Sequence, residues 1–143
     1  MGILNYTTSI SSEKSIGEIQ KCLVKHGAHK IVTDYKNGSP SAVTFCLTLN
    51  GTLIAFALPA NYEGVFNAMK SDKKIPRSKC TKDQAQRVAW RIIKDWVEAQ
   101  MAIVEAQLAD ITEVFLPYAI TKSGLTMYNE VKNNGMLMLQ SEN

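Results

Sequence analysis

The stretch from Arg87 to Leu108 reads as an amphipathic helix of about six turns whose apolar surface is wider than one core face requires. At about 100° per residue, Val88, Ala89, Trp90, Ile92, Ile93, Trp96, Val97, Ala99, Met101, Ile103, Val104 and Leu108 fill an arc of roughly 220°. A helix apolar over that span needs neighbours on most of its sides. The remaining arc carries Arg87, Arg91 and Lys94 within about 60° of one another, followed along the same ridge by Glu98 and Glu105. Trp90 stands at the ridge margin, whereas Trp96 lies at the centre of the apolar arc and reads as core.

A chain of 143 residues fits one domain and buries close to about 70% of its unfolded surface, so neither a disulfide nor a metal is required for stability. Cys22, Cys46 and Cys80 are odd in number and widely spaced, which argues against a secreted disulfide framework and a zinc ribbon, and suits a reducing cytoplasm. The opening Met-Gly-Ile-Leu-Asn-Tyr lacks a signal-peptide pattern, and no apolar run reaches the roughly 18 residues of a membrane span. Met1-Gly2 is a poor myristoylation start, because no Ser or Thr stands at the required later position.

Net charge is +3, but from Lys70 to Lys94 nine cations face two acids, a local +7. Such a field attracts anions, phosphates above all, although a solvated lysine-rich loop explains the same run without a ligand.

Ile3 to Ile10 alternates in part and predicts a short first strand with Leu4, Tyr6 and Ile10 inward. Ser12 or Ser15 caps a helix, Ser15 and Glu18 have capping-box spacing, and Gly27 is the terminator. Three strands follow as an antiparallel meander. His29 to Tyr35 turns through Lys36-Asn37-Gly38, Ala42 to Leu49 turns through Asn50-Gly51, and Thr52 to Leu58 stops at Pro59. Asn61 caps a short helix to Lys70 that carries Val65, Phe66 and Met69 toward the sheet. Thr81 and Gln84 form a second capping box and start the long helix, whose apolar register fails at Asp110. Asp110 and Glu113 open a final short helix through Phe115 ending at Pro117, and Leu125 to Tyr128 reads as one more strand before a polar tail from about residue 131.

The fold class predicted is α+β, a single domain over residues 1–143. A small antiparallel sheet, a β-meander, carries an N-terminal helix and a long C-terminal amphipathic helix. A sheet this small does not obviously cover an arc of roughly 220°, so the expectation is a chain oligomerising through helices, at least as a homodimer.

Catalytic signatures are weak. His26 and His29 straddle a helix end with no acidic or cysteine ligand nearby in sequence, and no metal is expected. No serine or cysteine nucleophile has a base in a known pattern, and no phosphate-cradling glycine loop or dinucleotide fingerprint occurs. Cys80 lies among cations at a helix start, which favours a thiolate, but reads more simply as a small packed residue. The expectation is a binding protein, not an enzyme, without a cofactor. Its site is the basic ridge. Arg87 and Arg91 offer guanidinium forks to phosphate oxygens near a helix N-terminus, Lys94 follows, and Arg77 closes from the preceding loop. Trp90, Phe115 and Tyr118 are the candidate flat faces for a base.

Several segments together resemble a family of small proteins common in bacteriophages and prophages. They are Ser15-Ile-Gly-Glu-Ile-Gln20, Lys25-His-Gly-Ala-His-Lys-Ile31, Leu58-Pro-Ala-Asn61, Arg87-Val-Ala-Trp-Arg-Ile-Ile-Lys-Asp-Trp-Val-Glu-Ala-Gln100 and Glu113-Val-Phe-Leu-Pro-Tyr118. Within that group the chain is similar to the first type of Thoeris anti-defence protein. The resemblance implies a phage sponge that binds cyclic ADP-ribose signals made by bacterial TIR-domain defence proteins and sequesters them uncleaved in the host cytoplasm. It also implies assembly from dimers, with cyclic oligonucleotides as further ligands. Two other readings use the same residues: a phage nucleic-acid-binding protein and a structural assembly protein. A nucleic-acid surface should be continuously basic, whereas this ridge turns acidic at Glu98.

Overall fold

The computed structural model describes residues 3–139 and Ser141. The Met1-Gly2 start and the last residues of the polar tail lie outside the described residues. The architecture is α+β: helices pack on one face of a three-stranded antiparallel sheet.

Residues 3–10 form an irregular arm, not the expected strand. The cause is visible in where its backbone bonds go. The carbonyls of Tyr6 and Thr8 accept from the Gln84 side-chain amide at 2.8 and 2.9 Å, so they are satisfied by a helix side chain and not by a sheet ladder. Leu4, expected inward, is exposed, while Ile3 and Tyr6 pack on an apolar cluster below the arm.

Helix α1 (Ser12–Lys25) is capped by Ser11, whose side chain accepts from the Lys14 N–H, not by Ser12 or Ser15. Ser15 is fully buried inside the helix, so its capping box with Glu18 does not form. The helix ends as the sequence predicts: Gly27 adopts φ +101°, and the Gly27 and Ala28 N–H groups donate back to the Val24 and Leu23 carbonyls. Strands β1 (Lys30–Lys36), β2 (Ser39–Leu49) and β3 (Thr52–Pro59) follow in order 1-2-3. Their two-residue turns hold Asn37-Gly38 and Asn50-Gly51 at positive φ, the backbone that Asn-Gly accepts most readily. In register, Ile31 faces Phe45 and Phe56, and Thr33 faces Val43 and Leu58; these residues make the inner face.

Helix α2 (Tyr62–Ser71), capped by Asn61, packs against the long helix, not against the sheet as expected. Its Met69, Val65 and Phe66 join Ala85 and Val88 in a cluster of their own. Helix α3 (Lys82–Glu105) starts at Thr81, which accepts from the Gln84 N–H. The capping box is only half made, because Gln84 turns its amide to the arm. After the α3 end, Gln107 takes φ +60°, and Asp110 and Glu113 form the predicted capping box of α4 (Ile111–Phe115).

The main core joins Ile16, Ile19 and Leu23 of α1, the inner face of the sheet, Trp90, Val97 and Met101 of α3, and Phe115. Thus α3 is enclosed by α1, the sheet, α2 and the arm of its own chain. The width of its apolar arc therefore does not itself require a second copy. Leu108, counted in that arc, lies beyond the helix end and is 77% exposed.

Leu125 to Tyr128, expected to be one more strand, is a bend at Leu125, a single bridge at Thr126 and the start of a helix at Met127. Ala119 bridges to Phe56 and Ile120 donates to the Ala55 carbonyl, adding a short piece to the β3 edge. Ile120 also pairs with Thr126. The Thr126 side chain then accepts from the Asn129 N–H and starts α5 (Met127–Asn133). This cap decides the segment: Leu125 to Tyr128 has strand-forming side chains, but a threonine with a free N-cap geometry sits in its middle. The α5 helix also takes the first residues of the expected polar tail.

Candidate functional site

The structure separates the seven residues expected to share a site. On the ridge, Arg87 Nε and Nη2 both donate to Gln84 Oε1, at 3.0 and 2.7 Å. Arg91 is buried, and its Nη1 donates to Glu18 Oε2 of α1 at 2.8 Å. Lys94 is held by Glu98 at 2.7 Å and Asp95 at 3.6 Å, and the hydrogen bond to Glu98, outweighing burial, raises its ammonium above the ordinary lysine range. The ridge is thus interleaved with carboxylates and roofed in part by the arm. It is not the open cationic surface that helical spacing suggested, because the compensating charge of Glu18 and the covering arm come from distant segments. Arg77 lies apart and exposed on a short 3-10 turn, Arg77–Lys79.

The aromatic residues are also redistributed. Trp90, expected at the ridge margin, is 1% exposed, and Phe115 is fully buried; both are core and neither offers a face to a ligand. Phe115 stands edge-on to Phe45 and Trp96, each at 5.5 Å between centroids. Trp96, expected at the core centre, is half-buried and packs edge-on against Tyr118 at 5.3 Å.

Tyr118 ends a 3-10 turn, Leu116–Tyr118, that the Ala119–Phe56 bridge pulls onto β3. Beside it opens a crevice of about 490 Å³ whose walls include Tyr118, Tyr128, Pro59, Pro117, Thr126 and Asn129, with Ala42 and Ala57 of the sheet also lining it. Across Pro59 and Tyr118 a neighbouring cleft of about 300 Å³ is lined by Trp96, Ile92, Ile93 and Leu58. Pro59 and Tyr118 stand between the two, and neither carries a formally charged lining residue; the amide of Asn129 and the hydroxyl of Thr126 belong to the larger crevice. Of the seven residues expected at the site, only Tyr118 lines them. Sequence spacing does not single out Tyr128, Thr126 and Asn129, because Leu125 to Tyr128 has strand-like side chains, nor Trp96, because a mid-arc tryptophan defaults to core.

The wall carrying Tyr128 is tethered by Glu130. Its carboxylate accepts from the Ser123 hydroxyl and from the Thr121 hydroxyl, the latter at 3.0 Å. These bonds, Ser123 foremost, hold the carboxyl below its ordinary value of 4.5. A carboxylate whose pKa falls on folding contributes stability above its unfolded value and loses it as pH drops through the folded one. The tether is therefore complete at neutral pH and released only in acid below 4.5. In a carboxyl-carbon NMR titration, the Glu130 midpoint should lie below 4.5 and rise toward it in Ser123→Ala. An unchanged midpoint in that variant would show that Ser123 is not the cause.

Elsewhere, the two histidines serve different neighbours. His26 bridges the Cys22 carbonyl at 2.8 Å and Glu105 at 2.6 Å, and His29 meets Thr48 at 3.0 Å. Among the described residues no group of three or more His, Cys, Asp or Glu side chains could hold a metal ion. Burial, followed by the Glu98 and Glu105 charges, pushes the Cys22 thiol up, and the Cys80 thiol donates toward the Met69 and Pro76 carbonyls at 3.6 Å. No described helix is long and apolar enough to cross a membrane. Compared with known protein families, with curated proteins and with solved structures, the chain finds no match.

Proposed function

We propose that this chain is a phage anti-defence binding protein that holds a cyclic nucleotide signal, foremost a cyclic ADP-ribose isomer, without cleaving it. The observation that carries the reading is the crevice lined by Tyr118 and Tyr128 together with Asn129 and Thr126. A crevice without formal charge favours the purine and not the phosphates. Stacking on an aromatic face contributes about 1–3 kcal/mol per base, and an amide reads the edge of a base while a hydroxyl suits a ribose. Retention needs only such contacts in a largely preformed pocket. Tyr118 and Tyr128 offer faces to the base, whereas Trp90 and Phe115 are buried in the core.

The chain is proposed to act in the host cytoplasm as a homodimer or higher homo-oligomer, with Val24 and Leu108, 58% and 77% exposed, among the apolar side chains left for contacts between copies. The nucleic-acid reading is disfavoured, because Glu18, Asp95 and Glu98 sit among the ridge cations and interrupt a continuous basic surface.

Calorimetric titration with cyclic ADP-ribose isomers, cyclic dinucleotides and a short DNA duplex tests the reading. A cyclic ADP-ribose isomer should bind and be recovered intact. Tyr118→Ala and Tyr128→Ala should each weaken it about tenfold, the equivalent of roughly 1.4 kcal/mol of lost stacking, with unchanged circular dichroism. Binding of DNA alone, falling steeply with salt, would replace this reading by the nucleic-acid one. Binding of neither would leave an assembly role.

A further inference from the structure

Arg91 is buried on α3 in a way that its known contact does not explain. Its side chain is 8% exposed, and Nη1 donates to Glu18 Oε2 at 2.8 Å. Its Nε and Nη2 groups are shut off from solvent and have no acceptor among the described residues. These two N–H bonds leave the same edge of the guanidinium plane in parallel, and that edge grips an oxyanion with two prongs. Ser15, one turn before Glu18 on α1, is fully buried with its Oγ also unpartnered. Three buried polar atoms on the two packed helices α1 and α3 thus lack partners, where buried donors on a charged group are normally satisfied.

The same face of α3 carries the attachments of the arm. Helical spacing puts Gln84, Arg91 and Asp95 within about 40° of one another. Gln84 Nε2 holds the Tyr6 and Thr8 carbonyls, and Asp95 Oδ2 accepts from Asn5 Nδ2 at 2.9 Å. The arm is thus tied to α3 at two points, Gln84 and Asp95, that lie on either side of Arg91 along the helix. It has no regular secondary structure of its own, and Asn5 sits at φ +64°.

We propose that the Nε/Nη2 edge of Arg91 is an oxyanion site for a phosphate or pyrophosphate group, closed by the residue 3–10 strap and occupied when the strap lifts from Gln84 and Asp95. Two oxygens of the ligand accept from Nε–H and Nη2–H. Arg87 and Lys94, one turn to either side, supply the surrounding positive field, against which Glu18 competes. Donors on both the guanidinium and Ser15 suit a tetrahedral oxyanion better than a planar carboxylate. This site is independent of the Tyr118–Tyr128 crevice, whose lining residues come from the sheet and from residues 117–129 and not from α3, so either proposal stands if the other fails.

The test follows arginine Nε–H resonances of the full chain while inorganic pyrophosphate is added, with malonate as the carboxylate control. One resonance, missing from Arg91→Lys, should shift saturably with pyrophosphate and at least tenfold more weakly with malonate. Backbone amides of residues 3–10 should exchange several-fold faster in the bound state. Gln84→Ala, which loosens the strap, and Glu18→Gln, which removes the competing charge, should each tighten pyrophosphate binding about threefold or more. These two variants keep the test available if Arg91→Lys does not fold. No saturable shift, as expected if the buried edge merely holds a fixed water, overturns the site. An equal response to malonate overturns the phosphate assignment, and unchanged exchange of the arm overturns the strap.

Discussion

Phe115→Ala is expected to remove about 3–5 kcal/mol of stability and to lower the melting temperature by about 10 °C or more. Phe115 is fully buried and meets Phe45, Phe56 and Trp96 at centroid distances of 5.5, 6.2 and 5.5 Å. It terminates a helix of five residues, too short to hold its place by its own hydrogen bonds. Truncating the ring leaves a cavity bordered by aromatic side chains from both hairpin strands and from α3, which cannot collapse around an alanine. Because Trp96 and Tyr118 rest on the same cluster, the crevice beside Tyr118 should loosen with it. Phe115→Leu, which keeps most of the volume, should cost markedly less. Thermal and urea melts read both; a loss below about 1 kcal/mol for the alanine variant would contradict the core placement.

Glu18→Ala is expected to cost about 3 kcal/mol, because it leaves the buried Arg91 guanidinium without the one carboxylate partner it has among the described residues. The figure sits at the low end of the range for such losses, since Glu18 itself is one-third exposed and water can enter where it stood. Arg91→Met behaves differently. It removes the buried charge together with its unpaired donors and keeps an unbranched apolar stem, so it should be close to neutral. The double variant Glu18→Ala/Arg91→Met should then recover most of the loss seen in Glu18→Ala alone. Urea midpoints for the four proteins of this cycle decide the matter. Equal destabilisation by both single changes would mean that the pair contributes through packing alone.

The two changes mark where sequence reasoning reached and where it stopped. Glu18 was legible as a capping-box residue, since Ser15 stands three positions before it, but the cap fell to Ser11 and Glu18 turned to Arg91. Arg87, Arg91 and Lys94 were correctly placed along one side of a helix. Whether that side faced water could not be read from their spacing, because Glu18 is 73 positions from Arg91 and the arm carbonyls are 76 and 78 positions from Gln84. Trp90 and Trp96 exchanged roles for the same reason: both belong to a wide apolar arc, and only the packing of α1, the sheet and Phe115 decides which one keeps an open edge.

What the sequence by itself determined is local. The Asn-Gly hairpins, the Gly27 terminator, the Asp110–Glu113 cap and the periodicity of α3 each depend on residues within a few positions of one another, where φ sign, side-chain length and helical spacing decide the outcome. What only the tertiary structure decided is which surfaces remain. The arm pairs with a helix side chain and not with a strand, the basic ridge meets carboxylates from α1 and from its own turns, and α5 brings Tyr128 opposite Tyr118. Those outcomes turn on contacts between distant segments competing for the same buried face. The net result of such competition is set by close packing and charge compensation in three dimensions, which a one-dimensional pattern does not contain.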